Sequence, residues 1–199
     1  MMLIVDQSTR AREHVALRSM FAARKRVFVD ILKWDLPVLA GCFEVDRRDG
    51  PGATYLIVAG PDGEHRASAR VLREPSAALG PFGDRIYEPP MKGSVAEVTH
   101  ACLSPDFAAA DRRRARDQLL YGLVDHALAR RIGRFVGAVP QPWAPKIQNM
   151  GWTCRHLGAV HAGCGPDMMA IAVDVDAATP AKLARAGIAR PTVAGRAVS

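Results

Sequence analysis

The segment from Arg24 to Asp49 holds an unusual collection of side chains: Arg24 and Phe28 on a predicted helix, Trp34-Asp35 in the loop after it, then Asp46-Arg47-Arg48-Asp49. Leu17, Met20, Phe21, Arg24 and Phe28 fall at the spacings of one helical face, so the guanidinium of Arg24 points inward from an otherwise apolar stripe. Left unpaired there it would be costly, and it therefore calls for an acid or an anionic ligand. Acids and ring faces attract cations, while a guanidinium grips a carboxylate with two parallel bonds. A purely structural account uses the same residues differently, with Phe28 and Trp34 in the core, Arg24 paired to Asp46, and Asp49 bonding locally in a turn. Farther along, Ser68, Arg70 and Leu72 share one face of a predicted strand. In Val95 to Leu103 the alternation sends Glu97 and Thr99 to one face and His100 to the other, barring a bulge.

The elements that must position these residues follow from periodicity and punctuation. A first helix is predicted over 11–29, then a hairpin from Thr54–Ala59 through the turn Pro61-Asp62-Gly63-Glu64 to Ala67–Arg73. A Gly- and Pro-rich stretch leads to the strand Val95–Leu103, which Ser104-Pro105-Asp106 ends. Asp111 is the expected cap of a long helix with its stripe at Leu120, Leu123, Val124, Ala127 and Leu128. A buried strand over Arg134–Val139, a short helix over Ala144–Met150 stopped by Gly151, a strand over Met168–Val175 and a helix over 181–187 started by Thr179-Pro180 complete the set. No repeat or long linker divides the chain. The expectation is one α/β (α+β) domain over 1–199, a mixed sheet covered by helices, with its core at about 11–176 and a loose tail beyond about 190.

The 199 residues, 49% of them hydrophobic, are enough for one proper core. No run approaches the roughly 20 apolar residues of a membrane helix and no secretory signal opens the chain, so no membrane insertion and a cytoplasmic location are expected. The four cysteines are too few for a disulfide scaffold and read as reduced thiols. Cys154, His156, His161 and Cys164 do not have a zinc-finger spacing; they are expected in a surface loop with two semi-buried thiols and no metal. Net charge is +7, concentrated at Arg112, Arg113, Arg114 and Arg116 and again at Arg130, Arg131 and Arg134. Such a field attracts something acidic. No zinc finger, aromatic RNA-binding signature or helix-turn-helix accompanies it, so nucleic acid is not the expected partner.

Arg24-Lys25-Arg26-Val27-Phe28-Val29-Asp30, Lys33-Trp34-Asp35, Glu44-Val45-Asp46 and Asp49 resemble the N-terminal signature of acyl-homoserine-lactone synthases, the LuxI-type autoinducer synthases. Arg70 and Glu97-Val98-Thr99 match that family's later motif, and Gly151-Trp152 with Leu157-Gly158 is similar to its C-terminal pattern, so the resemblance runs from about 11 to 175. It implies a three-layer fold like that of the N-acetyltransferases, with a V-shaped splay in the sheet, and two substrates: S-adenosylmethionine, and an acyl carrier protein or acyl-coenzyme A. Methylthioadenosine and an N-acyl-homoserine lactone, a quorum-sensing signal, would be the products. No further cofactor is implied.

On that resemblance Arg24, Phe28, Trp34, Asp46, Asp49, Arg70 and His100 bind S-adenosylmethionine, whose ammonium, carboxylate and sulfonium fit such a set. Glu97 is the implied base that takes the proton of the amine, directly or through water. Val98, Thr99, Leu103, Val136, Val139, Trp143 and Ile147 are expected to wall the acyl chain, and Arg112, Arg113 and Arg116 to dock an acidic carrier. One departure stands out: the family motif continues to an arginine where this chain has His100, which is only partly charged near neutrality. An impaired copy that only binds its ligand is therefore one alternative. Another is an ordinary acetyltransferase using acetyl-coenzyme A; Arg112-Arg113-Arg114-Ala115-Arg116 lacks the glycine its pyrophosphate loop usually carries, which argues against it.

Overall fold

The computed structural model describes residues 1–89, 92–160 and 167–191. Strand β1 (Met2–Val5) is followed by turns organised on Asp6, whose carboxylate accepts from the Ser8 amide and hydroxyl. Helix α1 (His14–Arg24) runs straight into a π-helical turn over Lys25–Ile31, closed by the Leu32 amide donating to the Val27 carbonyl. Two short strands, β2 (Val38–Leu39) and β3 (Phe43–Glu44), precede the large hairpin of β4 (Ala53–Ala59) and β5 (His65–Leu72). A 3-10 stretch over Ala77–Phe82 and helix α2 (Gly83–Ile86) lead to β6 (Ser94–Leu103), α3 (Ala109–Arg130) and β7 (Ile132–Pro140). Helix α4 (Ala144–Gln148), β8 (Thr153–Val160), β9 (Met168–Asp174) and α5 (Thr179–Arg185) follow.

Seven strands form one sheet in the order β1-β4-β5-β6-β7-β9-β8, antiparallel throughout except for β6 and β7. Helix α3 covers one face, where Leu119, Leu120, Leu123, Val124 and Ala127 pack on Leu56, Val58, Ala67, Ala69 and Val71. Each fully buried Leu or Val in such a stripe contributes about 1.5–3 kcal/mol. On the other face α1 packs Ala16 and Met20 against Tyr55, Ile57 and Leu72, and the α2 region adds Leu79 and Ile86 over Val95 and Val136.

What shapes the site is a failure of pairing. The parallel strands β6 and β7 are in register from Ser94–Ile132 to Glu97–Val136 and no farther, although β6 runs on to Leu103 and β7 to Pro140. Beyond Glu97 they splay into a V. Gly137 sits in the crotch, where a Cβ would come within 2.6 Å of the Val98 carbonyl oxygen, so the two backbones meet this closely only because no side chain intervenes.

Several expected boundaries move. Asp111 lies inside the first turn of α3 rather than capping it, since the helix already begins at Ala109. The first helix starts later, because the Asp6 turns take up residues 6–13, and ends later because of its π turn. Strands β1, β2, β3 and β8 are additions. The segment with Cys154 and His156, expected to be a loop, is the outer strand β8, with Cys154 packed inside; His161 and Cys164 lie outside the described residues, as does the tail from 192. Cys42, Cys102 and Cys154 are free thiols. Burial pushes the Cys102 thiol up to about 12. Among the described residues no helix is long and apolar enough to cross a membrane.

A candidate active site where the sheet opens

Arg24 ends the regular part of α1 and is buried, as its place on the stripe requires. Its partners are not those of the structural alternative: Nε donates to Glu44 Oε2 at 2.5 Å, and Nη1 and Nη2 fork onto Asp49 at 2.9 and 3.0 Å. Asp46 instead receives Arg70, through Nη1 at 2.6 Å and Nη2 at 2.9 Å. The spacing Glu44-x-Asp46-x-x-Asp49 lets one loop supply all three acids, because the Asp46 amide donates to Asp49 Oδ2 and the Arg48 amide to Asp46 Oδ1. Tyr55 Oη and the backbone carbonyls of Asp49 and Gly50, held by Arg10, fix the end of the loop.

Burial disfavours charge on Asp49, yet the bonds from Arg24, the Asp46 amide and the charge of Arg70 outweigh it and hold the carboxyl well below the ordinary range. Glu44 and Asp46 are lowered in the same way, against the effect of burial, by His100 and Arg24 at Glu44 and by Arg70 at Asp46. All three are carboxylates at neutral pH.

The bulge that alternation left open is present. Between Ser68–Cys102 and Arg70–Thr99 strand β6 carries one extra residue, and His100 adopts a left-handed backbone with φ 51°. In consequence Thr99 and His100 both reach Arg70, Thr99 Oγ1 accepting from Nε at 2.9 Å and His100 Nδ1 from Nη2 at 3.1 Å. His100 also meets the edge of Phe28, which stacks on Trp34 with ring centres 5.1 Å apart and planes 12° from parallel. The π turn and the left-handed Lys33 bring Trp34 back over Phe28, its amide donating to the Phe28 carbonyl. Arg24, Phe28, Trp34, Asp46, Asp49, Arg70 and His100 are thus brought together. Two guanidiniums face three carboxylates, and burial together with the charges of Arg24 and Arg70 keeps His100 below its ordinary value and neutral, despite Glu44.

Glu97 stands at the point where β6 and β7 part and lines the opening. It is buried but not free: Arg48 Nη1 donates to Oε2 at 2.6 Å, the Ser76 amide to Oε2 at 2.7 Å, and the Ser76 hydroxyl to Oε1 at 3.0 Å. Nothing in the sequence links Arg48 or Ser76 to Glu97. Glu44 stands in the signature without a role there, although the acid spacing marks it. Ligand atoms of Glu44, Asp46 and His100 lie within 4.8 Å of one another, as a metal would need; Arg24 already holds Glu44 Oε2 and Arg70 both oxygens of Asp46, while Glu44 Oε1 has no hydrogen-bond partner.

The V opens into a cavity of about 1120 Å3 that reaches from Phe28 and Trp34 past Glu97 to α3 and α4. Val98, Thr99, Leu103, Val136, Val139, Trp143 and Ile147 all line it. So do Leu119, Leu120 and Leu123 of α3 and, at the far end, Ile188, whose carbonyl accepts from Tyr121 Oη. Arg112 and Arg113 are exposed at the start of α3, and Arg116, paired with Asp117, lies on the cavity rim.

Residues 8–183 match the sequence profile of the family described as autoinducer synthase. An acyl-homoserine-lactone synthase of Ralstonia nicotianae is 27% identical over 170 residues, covering 80% of this chain and 82% of the relative. Among solved structures, the coenzyme A-dependent acyl-homoserine lactone synthase MesI superposes with a TM-score of 0.76 at 21% identity, over 97% of this chain and 98% of the other. The coenzyme A-dependent synthase BjaI, solved with S-adenosylmethionine and isopentyl-coenzyme A, gives 0.75 at 20% identity over 97% and 91%. An N-acetyltransferase-type protein of Lactobacillus plantarum gives 0.57 at 17% identity over 88% and 99%, so the three-layer fold is N-acetyltransferase-like.

Proposed function

The chain belongs to the autoinducer synthase family, and we propose that it joins the acyl group of a thioester to the amine of S-adenosylmethionine and closes the product to an acyl-homoserine lactone. The observation that carries this reading is the continuity of one cavity, from an end faced by Trp34, Phe28 and His100, where His100 borders the buried cluster of Glu44, Asp46 and Arg70, past Glu97, into an apolar gallery. The aromatic-faced end beside that cluster suits a sulfonium amino acid, and the gallery suits a fatty chain far longer than acetyl. The ligands of the BjaI structure, S-adenosylmethionine and isopentyl-coenzyme A, are the pair this arrangement calls for.

The substrate ammonium must first lose a proton, which is normally held well above neutral pH. Glu97, beside the crotch of the V, is the proposed acceptor, directly or through a water; Arg48 and Ser76 orient it. The freed amine attacks the thioester carbonyl, the carbon–sulfur bond breaks, and the thiol leaves with a proton. Backbone amides of β6 and β7 past Glu97 and Val136, released from pairing with each other, are the proposed donors to the oxyanion. The substrate carboxylate then attacks its own carbon next to the sulfonium; that carbon–sulfur bond breaks and methylthioadenosine departs. Holding the amino acid bent between His100, Asp46 and Glu97 favours this closure. The thioester is delivered by coenzyme A or by an acyl carrier protein, whose acidic surface Arg112, Arg113 and Arg116 would meet.

Incubation of purified protein with S-adenosylmethionine and a series of acyl-coenzyme A and acyl-carrier-protein donors tests the reading. Methylthioadenosine and an acyl-homoserine lactone should appear in equal amounts by mass spectrometry. Acetylation of another amine from acetyl-coenzyme A, with no methylthioadenosine, would assign the fold to an ordinary acetyltransferase instead.

A further inference from the structure

Past α5 the chain turns back over α3. Gly187, with φ 78°, ends the helix in a complete cap: its amide donates to the Ala184 carbonyl and the Ile188 amide to the Leu183 carbonyl. Ile188 and Leu183 belong to one core cluster, the apolar contact that such a cap makes. Among the described residues from Ala184 onward only Ile188 is buried, and together with Ala186 it lines the cavity at the end away from Trp34. What holds Ile188 there lies outside the cavity lining, on three α3 side chains. Tyr121 Oη is shared between the carbonyls of Ile188 at 3.3 Å and Pro180 at 3.2 Å, and Asp117 Oδ2 accepts from the Ala189 amide at 3.3 Å. Arg190 Nη2 donates to both oxygens of Asp125 at 2.8 and 2.9 Å, its guanidinium 5.1 Å from the centre of the Tyr121 ring. The Arg190–Asp125 pair is half exposed on both sides and contributes little alone. Most other walls of the cavity stand on α3 or on paired strands; this one is a short strap under a few polar bonds.

From this arrangement we infer that the strap Gly187–Arg190 is the stop for the acyl chain: Ile188 closes the gallery, and Tyr121, Asp117 and Asp125, none of which lines the cavity, are positioning residues that hold it closed. The inference rests on the proposed function. A chain long enough to reach Ile188 is refused unless it pushes that side chain out of its cluster, so a segment remote from Glu97 sets the longest donor accepted.

The test uses straight-chain acyl-coenzyme A donors from butanoyl to tetradecanoyl, with two readouts: kcat/KM by methylthioadenosine release, and calorimetric binding of the donor without S-adenosylmethionine. Each variant is first shown folded by its thermal transition. Ile188→Ala should move the preference toward longer chains and Ile188→Phe toward shorter ones, by about fourfold for each methylene admitted or excluded. Should Ile188→Ala not fold, Ile188→Val carries the same sign. Tyr121→Phe and Asp125→Ala should each raise kcat/KM for the longest donors relative to the shortest by about threefold, the effect of one lost hydrogen bond, with KM for S-adenosylmethionine within about twofold of wild type. Exchanging the charges, Asp125→Arg with Arg190→Asp, should restore the wild-type profile. A merely structural role would change all donors alike. Equal changes for short and long donors, shifts in one direction from both Ile188→Ala and Ile188→Phe, or an unchanged profile in Tyr121→Phe and Asp125→Ala overturns the inference. If wild type releases no methylthioadenosine with any donor, the proposed function fails by itself, and the binding profile still decides whether the strap is the stop.

Discussion

Replacing Arg24 with Met removes a guanidinium from between two buried carboxylates and changes little in volume. Three charge-assisted bonds are lost, at 2.5, 2.9 and 3.0 Å, each worth about 1.5–3 kcal/mol in a mutational series. Their sum overstates the effect, because Asp49 keeps Tyr55, the Asp46 amide and Arg70, and Glu44 keeps His100. Stripping one partner from a buried pair costs about 3–5 kcal/mol, a large part of the 5–15 kcal/mol that holds a domain folded. The expected loss at pH 7 is therefore about 3–5 kcal/mol, read by urea unfolding through tryptophan fluorescence. The pH dependence adds a check. Glu44 and Asp49 have lowered folded-state values, so their contribution is fully present above the unfolded carboxylate range and is lost as the pH falls through the folded values. Without Arg24 that contribution is absent, and the gap between wild type and variant should narrow below about pH 4. A loss under about 1 kcal/mol at pH 7, or a gap that widens in acid, would refute the reasoning.

Glu97→Gln should lower kcat about a hundredfold or more while leaving KM for S-adenosylmethionine within a few-fold, by steady-state release of methylthioadenosine; an unchanged kcat would move the base elsewhere. Trp34→Ala, which uncovers Phe28, should raise that KM by about three- to thirtyfold, the range of one cation–π contact. Leu123→Trp should shift donor preference toward shorter chains, by about fourfold in kcat/KM for each methylene excluded from the gallery, in competition assays with mixed acyl-coenzyme A. Reversing Arg112, Arg113 and Arg116 to Glu should raise KM for an acyl carrier protein more than for a short acyl-coenzyme A; equal effects would remove carrier docking.

Much of this architecture could be read from residue order. The inward turn of Arg24, the β4–β5 hairpin and the α3 stripe rest on local periodicity, which the tertiary structure keeps except at the exposed Leu128; the seven residues that the resemblance sets along the acyl chain border the cavity. What was illegible depends on pairing across the chain. Arg24 takes Glu44 and Asp49 rather than Asp46 because the loop folds its acids around its own amides, which spacing alone does not reveal. His100 joins Arg70 only through a one-residue bulge, and strict alternation sends it to the wrong face. Arg48 reaches Glu97 across 49 positions, and β8 is a strand because β9 offers it an edge, not because Thr153–Val160 alternates cleanly.

Gly137 gives the parted strands a fixed joint. Any substituent there would collide with the Val98 carbonyl and wedge β6 from β7 one residue beyond the Glu97–Val136 pair. On the proposed function, chain-length preference and proton transfer then belong to different parts of the chain: the cavity walls along α3, α4 and the ends of β6 and β7 are side chains that can be exchanged for others, whereas Gly137 at the vertex admits none. A library aimed at new lactones should diversify the limbs and leave their meeting point alone.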